Sequence, residues 1–166
     1  TAQVVPWLGA TPVFVDIDAA TYNMDPASLR AEIETVVAAG KLNPKAVIAV
    51  DLFGQPANYP EIKAICDEFG LKLIADTAQG FGCTLNGKHP SDWADIATTS
   101  FFPAKPLGCY GDGGAIVTND AKLAELIESL RVYGKVTPSD AATRNFHHDP
   151  KYLSLRVGMN SRLDTI

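Results

Sequence analysis

The feature that most restricts the fold is an alternation of short apolar runs with amphipathic stretches, most of them ended by glycine. Residues 45–53 (KAVIAVDLF) have the length and β-branched content of a buried strand, and Gly54-Gln55-Pro56 closes it. Asn58 then opens a stretch in which Ile62, Ile65, Cys66 and Phe69 recur at helical spacing until Gly70 stops it. Residues 71–75 (LKLIA) form the next strand, ending at Asp76. Upstream, residues 12–17 (PVFVDI) read as a strand. Asp25-Pro26 follows as cap and first-turn proline, with Leu29, Ile33, Val36 and Val37 on one helix face and Gly40 at its end. Three such rounds predict an α/β fold: right-handed crossovers and a mostly parallel sheet with helices on both faces.

Downstream the pattern continues with a buried strand at 95–102 and another beginning at Gly113. Between the third strand and these, Asn86-Gly87 is a hairpin signal. Asn119 or Asp120 caps a helix with Leu123, Leu126, Ile127 and Leu130 on its inner face. Residues 134–152 read as a polar loop holding Arg144, His147 and His148, two adjacent histidines poorly placed to share a metal. Gly158-Met159-Asn160-Ser161 reads as the cap of a helix running to Ile166. Residues 1–8 read as a helix stopped by Gly9, and Trp7 and Trp93 as core or dimer contacts. Both ends fall inside such elements, which predicts that residues 1–166 are an incomplete domain.

A net charge of −5 speaks against general nucleic-acid or anionic-membrane binding, which calls for a basic surface. No run of 18 apolar residues and no secretory signal pattern is present, and the 3 cysteines lack metal or disulfide spacing. A cytoplasmic, reducing setting is expected.

Chemistry concentrates in Ser100-Phe101-Phe102-Pro103-Ala104-Lys105-Pro106-Leu107-Gly108. Lys105 stands between two prolines just past a strand, so its amine sits on a stiffened turn. Apolar neighbours such as Phe101, Phe102 and Pro103 disfavour a charged amine, the condition for Schiff-base chemistry. An imine-forming cofactor that acts as an electron sink suggests pyridoxal 5′-phosphate, and its other needs can be matched in turn. Asp76, at a strand end, can pair with the pyridine nitrogen; Gln79 can reach the phenolic oxygen; Ala78 can lie under the ring; Ser100 can bind phosphate. Asp112, between glycines, reads as a turn, since no GK[ST] or GxGxxG pattern accompanies it.

Asp76-Thr77-Ala78-Gln79, the 100–108 run and Gly111-Asp112-Gly113-Gly114 together resemble the signature of the DegT/DnrJ/EryC1/StrS nucleotide-sugar aminotransferases, over essentially the whole chain. The resemblance implies part of the large domain of the aspartate-aminotransferase (type I) pyridoxal-phosphate fold, without its N-terminal segment and C-terminal small domain. It implies that Lys105 carries the cofactor and shuttles protons, with Asp76, Gln79 and Ser100 in the roles given above. Gly158-Met159-Asn160-Ser161-Arg162-Leu163-Asp164 is similar to a family loop whose asparagine reaches the phosphate of the other subunit. Asn160 is then expected to serve a homodimer partner's site, and Arg162 to contact substrate. Residues 12–25 and 156–165 look most like the subgroup that aminates C3 of UDP-linked 3-oxo uronic sugars. The implied substrates are a nucleotide-linked keto sugar and an amino-acid donor, glutamate first, in surface polysaccharide or amino-sugar biosynthesis. A related sugar dehydratase carries histidine in place of the lysine, so Lys105 speaks against that activity. A binding or regulatory module that keeps the fold without turnover is the alternative from another class. One departure stands out: Asp51-Leu52-Phe53-Gly54 replaces the His-Leu-Tyr-Gly of many members.

Overall fold

A computed structural model describes residues 1–147 and 149–163. Its centre is a four-stranded sheet in the order β1 (Ala46–Val50), β2 (Lys72–Asp76), β3 (Ile96–Ser100) and β4 (Gly114–Val117). The first three strands are parallel and β4 returns antiparallel to β3, so the sheet is mixed and mostly parallel, as expected. In register, Val47, Leu73 and Ala49, Ala75, Ala97 line one face. Against that face pack Leu29 and Ile33 of α2 (Pro26–Ala39) and Ile62, Ile65 and Cys66 of α3 (Tyr59–Phe69), forming one continuous buried core.

Both helices start and stop where their sequence dictates. The Asp25 carboxylate accepts from the N–H groups of Ala27 and Ser28, and Gly40 and Gly70 end α2 and α3 in the left-handed conformation. The alternate residues Ile48, Ile74, Ile96 and Thr98 face the other way and are only half-buried. The helices that bury core residues therefore cover one face of the sheet among the described residues. The opposite face is open at the strands' carboxyl ends.

Several expected elements are shorter or absent. Residues 12–17 join no sheet; Ile17 makes one bridge to Met24. Their backbone groups serve a local turn instead, with Asp18 N–H donating to the Asn23 carbonyl at 2.9 Å and Asp25 N–H to that of Asp16 at 3.1 Å. β1 stops at Val50 because Leu52–Gly54 turns as a 3₁₀ helix, with Phe53 at φ 57°. α1 (Val4–Trp7) forms, but Trp7 is 81% exposed, which removes it from the core. Trp93 packs against the core with Lys88 Nζ 4.9 Å above its ring.

In the second half, α4 (Ala121–Leu130) is capped by Asp120, although Leu123, Ile127 and Leu130 are only half-buried and Leu126 is exposed. The expected polar loop contains α5 (Pro138–Thr143), whose cap Thr137 and third residue Asp140 satisfy each other's backbone N–H groups. Arg156 joins this element to α4: its guanidinium donates to both Asp140 oxygens, at 2.7 and 2.9 Å, and to Ser129 Oγ at 3.3 Å. No helix follows Gly158 among the described residues; Asn160 pairs with Val132 in a single bridge, because this backbone is drawn to the end of α4. His148 and residues 164–166, where other sequence expectations fall, lie outside the described residues.

Candidate active site

β2 and β3 determine the site. Asp76 pairs with Thr98, and Ser100 lies two residues further along β3, so the side chains of Asp76, Thr98 and Ser100 share the open face. From strand spacing and rise, the Cα positions of Asp76 and Ser100 are about 8 Å apart, a gap that one substituted pyridine ring can bridge. Thr77, with the opposite parity, is buried and donates its hydroxyl to the Thr98 carbonyl at 3.0 Å, which ties the two strand ends together.

Each expected residue presents a distinct chemistry here. Asp76 Oδ1 accepts from Ala78 N–H at 3.2 Å, which fixes the carboxylate, and Oδ2 accepts from Thr1 Oγ1 at 2.6 Å, so a donor reaches that oxygen. Gln79 Oε1 accepts from Phe53 N–H at 3.0 Å, which aims the amide and leaves its N–H₂ for an acceptor. Ser100 Oγ accepts from Phe102 N–H at 3.2 Å, leaving the hydroxyl hydrogen to donate. Ala78 is half-buried beside them.

Lys105 lies on the loop joining β3 to β4. Phe102, Pro103, Ala104 and Lys105 make a turn closed by Lys105 N–H donating to the Phe102 carbonyl at 2.8 Å, with proline at its second position. The loop closes tightly: a Cβ at Gly108 would come within 2.6 Å of the Pro103 carbonyl oxygen. Its base is pinned by Phe101 N–H to the Gly113 carbonyl at 2.7 Å and Cys109 N–H to the Phe101 carbonyl at 2.8 Å. The lysine is half-buried, and Phe102 is 52% exposed. The enclosed apolar setting expected around the amine is thus not formed by this loop: Phe102 and Pro103 are exposed, and only Phe101 is half-buried.

Asn160 is exposed and forms no hydrogen bond with Asp76, Ser100 or Lys105 among the described residues. Arg162 is exposed as well, on the rim of a cleft of about 760 Å³ between β3, β4 and α4. That cleft is also lined by Thr98, Gly113, Arg131 and Leu163. No cluster of potential metal ligands occurs among the described residues.

Asp51, which stands where many family members have histidine, takes a part that its sequence position did not indicate. It is fully buried behind the 76–80 turn, where its carboxylate accepts from Tyr59 O–H at 2.7 Å and Ala57 N–H at 3.0 Å. Burial pushes its carboxyl above the usual range, against the pull of the donors from Tyr59, Ala57 and Cys83. Burial, followed by the charge of Asp51, drives the Tyr59 phenol upward too, and it pushes the Cys83 thiol up to about 11.

An acid, an amide and a hydroxyl thus lie at the carboxyl ends of a mostly parallel sheet, with a lysine on the loop that follows. The model of the DegT/DnrJ/EryC1/StrS aminotransferase family matches residues 1–166, and the chain belongs to that family. It is 46% identical over 166 residues to the UDP-2-acetamido-2-deoxy-3-oxo-D-glucuronate aminotransferase of Pseudomonas aeruginosa, covering 100% of this chain and 41% of the relative. It is 43% identical over 164 residues to the "Pleiotropic regulatory protein" of Geobacillus stearothermophilus, covering 99% of this chain and 39% of that one. Among solved structures, a DegT DnrJ EryC1 StrS aminotransferase from Brucella abortus superposes with a TM-score of 0.89 at 45% identity, over 99% of this chain and 41% of that one. The chain thus spans about two-fifths of the length of the proteins it matches.

Proposed function

We propose that this chain is part of the large domain of an aminotransferase that moves an amino group from an amino acid, glutamate first, to a nucleotide-linked keto sugar. The single observation that carries the reading is the shared face of Asp76 and Ser100, with Lys105 on the next loop. The donor set suits pyridoxal phosphate: an amine for its aldehyde, a carboxylate for the pyridine nitrogen, an amide N–H for the phenolic oxygen and a hydroxyl for the phosphate. When bound, that cofactor supplies an electron sink.

In this reading Lys105 would hold the cofactor through its amine and, as the free amine, would take and return the proton at the donor's α carbon. Asp76 keeps the pyridine nitrogen protonated, with its own carboxylate oriented by Ala78 N–H. Gln79 and Ser100 orient the ring at opposite ends, and Ala78 lies beneath it. Asn160, exposed and without a hydrogen bond to its own chain's Lys105, serves the site of a second copy, and Arg162 contacts substrate from the rim of the cleft. Amination at C3 of a UDP-linked 3-oxo uronic sugar is the favoured reaction, supported by the 46%-identical relative of that activity. A cytoplasmic homodimer belongs to the same reading; free Cys66, Cys83 and Cys109 fit a reducing compartment, and no helix among the described residues is long and apolar enough to cross a membrane.

A regulatory module that binds the cofactor without turnover is the second reading, favoured by the name of the 43%-identical relative. The deciding experiment is a transamination assay on the full-length protein with glutamate and a panel of UDP- and dTDP-linked keto sugars. Formation of the amino sugar with a UDP-3-oxo sugar supports the transaminase. Cofactor binding without product on any sugar supports the regulatory module.

A further inference from the structure

Asp51 lies outside every role assigned above, yet it is built into the site's foundation. It follows β1 directly, and its backbone N–H donates to the Asp76 carbonyl at 3.0 Å, extending the β1–β2 ladder to the first residue of the cofactor turn. Its side chain is on the core side and fully buried, whereas Asp76 and Ser100 face the open side. It therefore touches no ligand bound there. Its two oxygens collect three donors: Ala57 N–H at 3.0 Å and Tyr59 O–H at 2.7 Å on Oδ1, and the Cys83 thiol at 3.8 Å on Oδ2. An acceptor-only carboxylate suits such convergence: a carboxamide could keep its oxygen for Ala57 and Tyr59 only by turning its N–H₂ towards the Cys83 thiol.

The carboxylate is also a wall for the turn. A Cβ at Gly80 would come within 2.6 Å of Asp51 Cβ, so the 76–80 backbone rests directly on this side chain. Two residues beyond Asp51, Phe53 holds φ 57° and donates its N–H to Gln79 Oε1 at 3.0 Å. A bulky residue in that conformation is strained and persists only where its surroundings enforce it. The enforcing elements are visible: the bonds of Asp51 to Ala57 and Tyr59, and Leu52 N–H donating to Asn23 Oδ1 at 2.9 Å.

We propose that Asp51 is a positioning residue: by anchoring the exit of β1 it sets both the 76–80 turn and the amide of Gln79, and so the geometry in which the ring is held. The part that concerns the ring rests on the pyridoxal-phosphate reading; the part that concerns the turn does not.

The test compares Asp51→Asn and Tyr59→Phe with Leu29→Ala, a core change in α2 away from the turn. Each variant of the full-length protein is titrated with pyridoxal 5′-phosphate, followed by the absorbance of lysine-bound cofactor, at a temperature where circular dichroism shows it folded. Amide exchange at Gly80 and Cys83, whose N–H groups bond to the carbonyls of Thr77 and Gly80, is measured without cofactor. Asp51→Asn and Tyr59→Phe are each expected to weaken cofactor binding and speed that exchange by about tenfold or more, since one neutralises a buried carboxylate and the other removes a hydrogen bond to it. Leu29→Ala is expected to lower the melting temperature and leave both readouts unchanged. Unchanged affinity and exchange in folded Asp51→Asn, or in Tyr59→Phe should the first not fold, overturns the proposal, as does an equal response from Leu29→Ala. A wild-type protein that takes up no cofactor refutes the pyridoxal-phosphate reading, and the exchange rates then decide the claim about the turn alone.

Discussion

Gly80 is a residue where the fold leaves no room for a side chain. Any Cβ there meets Asp51 Cβ at 2.6 Å, and Asp51 is fully buried and cannot yield. Gly80→Ala is therefore expected to cost about 1–3 kcal/mol by overpacking, read as a lower urea midpoint with an unchanged slope. Cys83, bonded to the same carboxylate, gives a chemical readout. Its thiol is pushed from 9.0 up to about 11, by burial first and then by the charge of Asp51. At pH 8 its thiolate fraction is lower by roughly 100-fold than that of an unperturbed thiol, so it should be alkylated by iodoacetamide correspondingly slowly. Mass spectrometry of timed samples measures the rate; labelling at the speed of a free thiol would contradict the buried carboxylate beside it.

At the scale of elements, the link between α4, α5 and Arg156 predicts a pH dependence. Hydrogen bonds from Arg156, then from the Thr137 backbone, hold the Asp140 carboxyl well below the usual carboxylate range. A carboxyl lowered on folding stabilises fully above its unfolded value, near 3.8, and loses that contribution as pH falls through the folded value. The melting temperature of Arg156→Gln should thus lie below wild type at pH 7, with the gap narrowing below about pH 4. A gap that stays constant to pH 2 would show that the pair does not titrate with folding.

The same elements show what could be read in advance. Asp25-Pro26, Gly40, Gly70 and Asp120 carry their caps in single residues, so α2, α3 and α4 were legible to within a residue or two. Thr137-Pro138-Ser139-Asp140 is an equally good cap, but the short helix it starts has no apolar face to register in the periodicity. Residues 12–17 failed for the opposite reason: an apolar run specifies strand character, while pairing depends on a neighbour, and here a local turn claims the backbone. The site divides likewise. That Asp76 and Ser100 share the open face follows from their places at strand ends, whereas the burial of Asp51 could not be read, because its partners Ala57, Tyr59 and Cys83 converge only in the fold.

For the whole molecule, the sheet has one sealed face and one open face. Leu73, fully buried at the centre of the sealed side, should cost roughly 2–5 kcal/mol on replacement by alanine, measured by denaturant unfolding. The open face carries Asp76, Thr98 and Ser100, and the tightly closed loop beyond β3 carries Lys105. The residues that hold the sheet together and those on its open face alternate along the same strands. The central claim is that Lys105 is the amine that captures the cofactor. Incubating the full-length protein with pyridoxal 5′-phosphate, reducing with borohydride and mapping the modified peptide tests it most directly. A single pyridoxyl adduct on Lys105, absent in Lys105→Ala, is expected; an adduct on another lysine, or none, would contradict Lys105 as the capturing amine.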